Sequence, residues 1–289
     1  MLSRLTALVP GPVCAAALGR DWPDDLDGQV RCIDEGTRSL GLPYCCAPWS
    51  VESEDAALRA ELGDHTDPGA GSPGAPMGDL AAGAHPNLKS IPSHRCKSGT
   101  DLGGDSVAAG LARVPGALPV LGLVSGPLTW GMRIRSGPAL EDAVDAASDL
   151  AAGRVRALAG YGAERVVVVE SMDAGDSVAA ELLVEAHRPI LRSAHHLRTD
   201  VLLAMTVAGA APPSSLGYDC WASGRGCSPG LGFLPADAFD SAAALERWLD
   251  RTRGAGGLEE VITAPLAGSV SPGLVRQAAR ALAQVVARP

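Results

Sequence analysis

Five stretches of this chain carry side chains that could do chemistry at the ends of strands. Val166–Val169 is a run of four valines ending in Glu170, with Ser171 and Asp173 directly after it. A carboxyl at the rim of a dry apolar strand bundle can act as a general acid or base, and Asp173 is close enough in sequence to share its site. Ser171 has no histidine at a recognisable spacing, so it reads as a hydrogen-bonding group for substrate rather than a nucleophile. Pro119–Gly137, PVLGLVSGPLTWGMRIRSG, opens with another buried-type strand and then presents Ser125, Thr129 and Arg133. Arg20 follows an apolar run near the N-terminus, Trp49 follows a second, and Trp221 and Arg225 follow a later one. An arginine fork suits bidentate binding of a carboxylate or phosphate. The candidate set is therefore Glu170, Ser171 and Asp173 for catalysis, with Arg20, Trp49, Ser125, Thr129, Arg133, Trp221 and Arg225 for substrate binding.

Other chemistry is excluded or weakened by residue usage. The lysines are Lys89 and Lys97, both in a Gly/Pro-rich stretch, so no predicted strand carries an amine for a Schiff base with a carbonyl substrate or pyridoxal phosphate. There is no Walker A sequence and no glycine fingerprint after the first strand. A net charge of −9 argues against nucleic acid, and no apolar run reaches membrane-spanning length. The seven cysteines, at 14, 32, 45, 46, 96, 220 and 227, do not form a disulfide framework. They read as reduced, cytoplasmic thiols filling a core poor in aromatics. Cys45, Cys46, Cys220 and Cys227 lie near strand ends, where a soft metal is the alternative; adjacent cysteines point to opposite faces, so at most one of 45 and 46 faces inward. His187, His195 and His196 fall on a predicted outer helix and read as solvated, whereas His85 and His94 belong to a loop that could close over a site. No cofactor and no metal ion is assigned.

The elements that must position these groups alternate between strands and helices. Strands are predicted over Val13–Leu18, Leu42–Ala47, Val120–Val124, Arg165–Val169, Val201–Met205, Gly217–Trp221, Gly230–Leu234 and Val261–Ala264. Helices are predicted over Asp25–Leu40, Glu52–Leu62, Asp101–Leu111, Leu140–Ala159, Val178–Leu197, Ala236–Arg253 and Ser271–Ala287. Gly41 stops the first, and Ser271 with Pro272 opens the last. Residues 63–100 read as one long Gly/Pro-rich loop, not a domain boundary. The expected fold is thus a single (β/α)8 barrel over residues 1–289 with the helices after strands five and six shortened, an open doubly wound sheet being the alternative. Pro10 and Pro12 interrupt the N-terminal apolar run, which therefore does not read as a secretory leader.

Several segments resemble the uroporphyrinogen decarboxylase superfamily, which includes corrinoid-linked methyltransferases and cobalamin-independent methionine synthase. PVLGLVSGPLTWGMRIRSG is similar to the family strand ending in G-x-P-W/F-T, and VVVVESMDAGDS to its F-E/D-S-x-A-G segment. HRPILRSAHHLR falls where the family has a P-Y-x-x-x helix. PVCAAALGRDWPDD resembles the decarboxylases' M-R-Q-A-G-R-Y-L-P-E, and LPYCCAPWSVESEDAAL the methyltransferases' P-F-D-x-T-x-E-A-E-A-L. The resemblance implies a (β/α)8 barrel, makes Arg20 a carboxylate-binding arginine, and makes Ser171 the active-site serine. The decarboxylases' catalytic aspartate is replaced by Ser50, and the methyltransferases' zinc motif H-x-C by AMTVAGA. What it implies is metal-independent decarboxylation of a small carboxylate-bearing molecule. Methyl transfer to a thiol or corrinoid, and a non-catalytic binding protein on a decayed enzyme fold, are the alternatives; a homodimer is compatible with any of them.

Overall fold

The computed structural model describes residues 4–47, 50–63, 105–135, 139–171, 180–206, 216–223, 226–253 and 258–285. The long stretch predicted as a loop over 63–100 lies almost wholly outside them. In chain order the elements are β1 Arg4–Thr6, α1 Gly11–Ala17, α2 Leu26–Leu40, β2 Cys45–Cys46, α3 Val51–Glu61 and α4 Asp105–Leu111. They continue with β3 Val120–Ser125, α5 Pro127–Ile134, α6 Leu140–Gly160, β4 Ala163–Glu170, α7 Ala180–Leu197 and β5 Asp200–Met205. The last are β6 Cys220–Ser223, β7 Gly226–Cys227, β8 Leu231–Leu234, α8 Ala242–Arg253, β9 Glu260–Thr263 and α9 Pro272–Val285.

The strands form two sheets, in the orders β1-β9-β8 and β2-β3-β4-β5-β6-β7. Every pairing is parallel except β6 with β7. The chain is therefore an α/β protein with a parallel-rich sheet. Among the described residues no ladder joins β1 to β2 or β7 to β8, so hydrogen bonding does not close the strands into one ring. The two sheets nevertheless share a buried centre. Leu8, Cys46, Leu121, Leu123, Val167, Val169, Leu202, Ala204, Ala222, Phe233 and Ile262 form one apolar cluster drawn from both. The alternate residues, such as Val120, Val124, Val166 and Val168, pack instead against the helices. That period of two, with both faces buried, explains why the strands read as continuous apolar runs.

Two contacts tie the sheets together. The Cys46 thiol donates to the Ala7 carbonyl at 3.4 Å, from β2 to the end of β1. Near the amino ends of β4, β5 and β9, Arg165 reaches Glu260 with two bonds of 2.7 and 2.8 Å and Asp200 at 2.6 Å. Thr6 of β1 donates to the same Glu260 carboxylate.

Four predicted elements are corrected. Of the run Val13–Leu18, Val13–Ala17 lies within α1 and Leu18 caps it, and the first strand lies earlier at Arg4–Thr6. Short apolar runs do not distinguish a strand from a buried helix; here Pro12 in the first turn and three consecutive alanines suit the helix. The polar segment after β3 is also a helix, α5, begun by Gly126 and Pro127. Between β6 and β8 the described residues contain the antiparallel β7 in place of a shortened helix. The connection after β5, residues 207–215, lies outside the described residues. Asp25 caps α2 by accepting from Gly28 N–H, and Gly41 ends it at φ 74°, whereas the predicted helix Ala236–Arg253 divides into a 3-10 turn, Ala236–Phe239, and α8.

Candidate functional site

Glu170 is the last residue of β4 and is fully buried. Val167 and Val169 face the shared centre, so Glu170 follows Val166 and Val168 outward, into the space between β4, α5 and α7. There its carboxylate accepts from Leu128 N–H at 3.2 Å, Thr129 N–H at 2.9 Å, the Thr129 hydroxyl, and His187 Nε2 at 2.8 Å. An ionised carboxylate has room for about four donors, and these fill it. Two of them are the free N–H groups that open α5, where the helix dipole favours negative charge. Gly126 makes the approach sterically feasible: a Cβ there would fall 2.1 Å from the Glu170 carboxyl carbon.

His187, expected to be solvated, is also fully buried. With Nε2 donating to Glu170, its Nδ1 is left to accept from the Tyr218 hydroxyl, 2.8 Å away. Burial, and then the nearby Glu170 carboxylate, push the Tyr218 hydroxyl well above its ordinary range, so it remains a donor. A signal for His187 existed in the sequence. It lies on the stripe Leu183, Ala186, Ile190 and Ala194, the buried face of α7. On the other side of Glu170, the Thr129 hydroxyl accepts from Ser171 N–H at 2.6 Å. One unbroken chain of hydrogen bonds thus runs Tyr218, His187, Glu170, Thr129, Ser171.

Arg133 belongs to a second buried cluster. Its guanidinium meets Asp55 at 2.9 and 2.8 Å, donates to the Ser125 hydroxyl at 3.1 Å and lies 3.5 Å from Glu54. Glu54 is fully buried, accepts from Ser125 N–H at 3.1 Å, and has Arg154 Nε at 3.9 Å. Arg133 is therefore neutralised by carboxylates of α3, and it fastens that helix to the last turn of α5 and the end of β3. It is not an open fork awaiting a substrate carboxylate.

The expected site residues divide accordingly. Glu170, Thr129 and Ser171 are brought together, and Ser125 and Arg133 meet beside α3. Arg20 is on the surface beyond α1, paired with Glu35 at 3.0 Å, its side chain 63% exposed. Its expected position at a strand end rested on reading α1 as a strand. Trp221 packs against the helix-side cluster, while its neighbours Cys220 and Ala222 belong to the shared centre. Trp49, Asp173 and Arg225 lie outside the described residues, as do His65, His85, His94 and Cys96. His195 and His196 are exposed, as expected.

The cysteines resolve as filler. Cys46 faces the shared centre and Cys45 the helices, as the alternation requires. Burial pushes both thiols up to about 12, and Cys14 to about 11. Cys220 lies by Asp200, Arg165 and Glu260, at the opposite end of the strands from Glu170. Among the described residues no group of three His, Cys, Asp or Glu is placed to hold a metal ion. The carboxyl ends of β4 and β5 present, among the described residues, a pair of hydroxyls, Ser171 Oγ and Thr206 Oγ1, 2.7 Å apart.

The α/β fold is shared with solved structures. Its structure superposes on a methyltransferase from Methanosarcina mazei with a TM-score of 0.66 and 13% identity, covering 98% of this chain and 94% of that one. At that identity the likeness shows the fold alone. Phosphonopyruvate hydrolase in complex with oxalate and Mg²⁺ matches with a TM-score of 0.39 and 13% identity, over 99% of this chain and 81% of that one. 2,3-Dimethylmalate lyase, a member of the PEP mutase/isocitrate lyase superfamily, matches at 0.30 and 12% identity, over 59% and 55%. These two scores are too low to carry an argument. No family model and no curated protein matches the sequence. No described helix is long and apolar enough to cross a membrane.

Proposed function

We propose that this chain is an enzyme of the uroporphyrinogen decarboxylase type that takes a small molecule at the carboxyl ends of β3, β4 and β5, on a barrel-type arrangement of its two sheets, and transfers a methyl group. The observation that carries the reading is the likeness to a methyltransferase over nearly the whole of both chains. In such a transfer a thiolate takes the methyl carbon. The new S–C bond forms as the donor's bond to carbon breaks, the donor keeps that electron pair, and the thiol proton passes to solvent. Ser171 and Thr206 would orient a polar group of the acceptor by hydrogen bonds, with Thr129 fixing the Ser171 backbone.

Metal-independent decarboxylation has lost support from the described geometry. Its proposed acid, Glu170, is surrounded by four donors, its proposed carboxylate-binding Arg20 is on the surface, and Arg133 is already paired. Asp173 and Arg225 are the groups it retains. The test is to incubate the purified protein with methylcobalamin and a series of small alkyl thiols and to measure thioether by mass spectrometry. A parallel arm measures CO2 release from porphyrinogens and small polycarboxylic acids. Thioether above the protein-free rate supports methyl transfer. CO2 release without thioether overturns it in favour of decarboxylation. Turnover in neither arm overturns it in favour of a binding protein.

A further inference from the structure

We infer that His187 and Tyr218 are positioning residues for the carboxyl-end rim of β4, acting on Ser171 through Glu170 and Thr129. This rests on the reading of that rim as the ligand site, although the geometry behind it does not. Besides His187, the partners of the Glu170 carboxylate among the described residues are two backbone N–H groups and one hydroxyl. Among the described residues His187 is therefore the one partner that comes from outside the β3–α5 unit. It fixes the side of the carboxylate remote from Thr129, because it bonds Oε1 whereas the Thr129 hydroxyl and N–H bond Oε2.

The orientation is then passed on. Thr129 has one hydroxyl hydrogen, and it is committed to Glu170; the Thr129 oxygen is thereby aimed at Ser171 N–H. If the carboxylate rotates, the hydroxyl follows it and the Ser171 bond is lost. Ser171 is the first residue past the ladder and is exposed, so this bond and the contact of its hydroxyl with Thr206 are what hold it. Tyr218, just before β6, selects the imidazole tautomer by donating to Nδ1. A segment two strands away is thus coupled to the rim through one ring that no ligand at the rim would touch.

Amide hydrogen exchange of the full chain tests the inference without any ligand. His187→Ala should speed exchange at Ser171 at least about tenfold while Val167 and Val168, in the middle of β4, keep the wild-type rate. His187→Gln places an amide nitrogen near Nε2 and should recover most of the protection. Tyr218→Phe should give a smaller increase at the same amide, and it stands in should His187→Ala fail to fold. In a Thr129→Val background, which has already lost the acceptor, His187→Ala should add nothing at Ser171. Unchanged Ser171 exchange in a folded His187→Ala or Tyr218→Phe protein overturns the inference, as does an equal effect of His187→Ala with and without Thr129. A wild-type protein that transfers no methyl group defeats the functional reading and leaves these exchange outcomes decisive for the positioning role.

Discussion

Replacing Glu170 by Gln separates a structural carboxylate from a chemical one. The side chain keeps its shape, so no cavity opens. Its amide oxygen can replace Oε2 and continue to accept from Thr129 N–H and the Thr129 hydroxyl. Its NH2 group then faces Leu128 N–H and His187 in place of Oε1. His187 can exchange tautomers and accept, with Nδ1 donating to Tyr218. Leu128 N–H has no such freedom, and an unsatisfied buried donor costs about 1–3 kcal/mol. Loss of negative charge at the start of α5 adds roughly 0.3–2 kcal/mol. The sum is about 1–5 kcal/mol, or a fall in Tm on the order of 2–8 °C for a chain of this size. Glu170→Ala strips all four donors of their acceptor and should cost more. Urea and thermal unfolding followed by circular dichroism measure the loss, with methyl transfer followed on the same samples. The reasoning fails if Glu170→Gln stays within about 1 kcal/mol of wild type, the spread of an ordinary substitution, yet abolishes turnover. That result would return Glu170 to the role of acid or base.

Other outcomes follow from the same geometry. Gly126→Ala has nowhere to put its methyl group, since Glu170 occupies the space; it should unfold at least as readily as Glu170→Gln, by the same urea titration. Glu260→Gln should cost about 2–4 kcal/mol, because Arg165 is left with one partner where the two sheets meet and its side chain is only 16% exposed. Arg20→Ala should change stability by less than about 0.5 kcal/mol, as its pair with Glu35 is solvated, and should leave turnover intact. Stability should fall as pH rises above 9. Cys14, Cys45 and Cys46 ionise near 9 when unfolded but only at about 11 to 12 when folded, so their contribution is complete below pH 9 and is lost above it. With each group contributing up to ~1.4 kcal/mol per pH unit, urea midpoints at pH 8, 9 and 10 should drop progressively, and less steeply in Cys46→Ala.

The sequence by itself determined the elements whose signals are local. The valine run of β4, the capped and glycine-stopped α2, and the long amphipathic α6 all fall within a residue or two of their predicted bounds. So does the opposite facing of Cys45 and Cys46, because side-chain alternation is a property of the backbone. Where a local signal admits two answers, tertiary packing chose. The apolar run after Pro12 became a helix because α1 packs against α2, with Cys14 set so close to Gly36 that a Cβ there would clash. The polar segment after β3 became α5 because partners distant in sequence answer its open ends: Glu170 receives its first N–H groups, and Asp55 with Glu54 receives Arg133.

The roles of the charged residues were decided by the same long-range pairing. Glu170 and Thr129 were visible as candidates, but that the carboxylate turns outward to cap a helix depends on which face of β4 meets α5. Arg20 was credited with a site through one misplaced strand, and His187 was left to solvent although it lies on an apolar stripe. Residue type and spacing show what a side chain can do. Burial and the partners that reach it from 41 or 71 residues away fix what it does, since a buried charge must be met by whatever the fold brings to it.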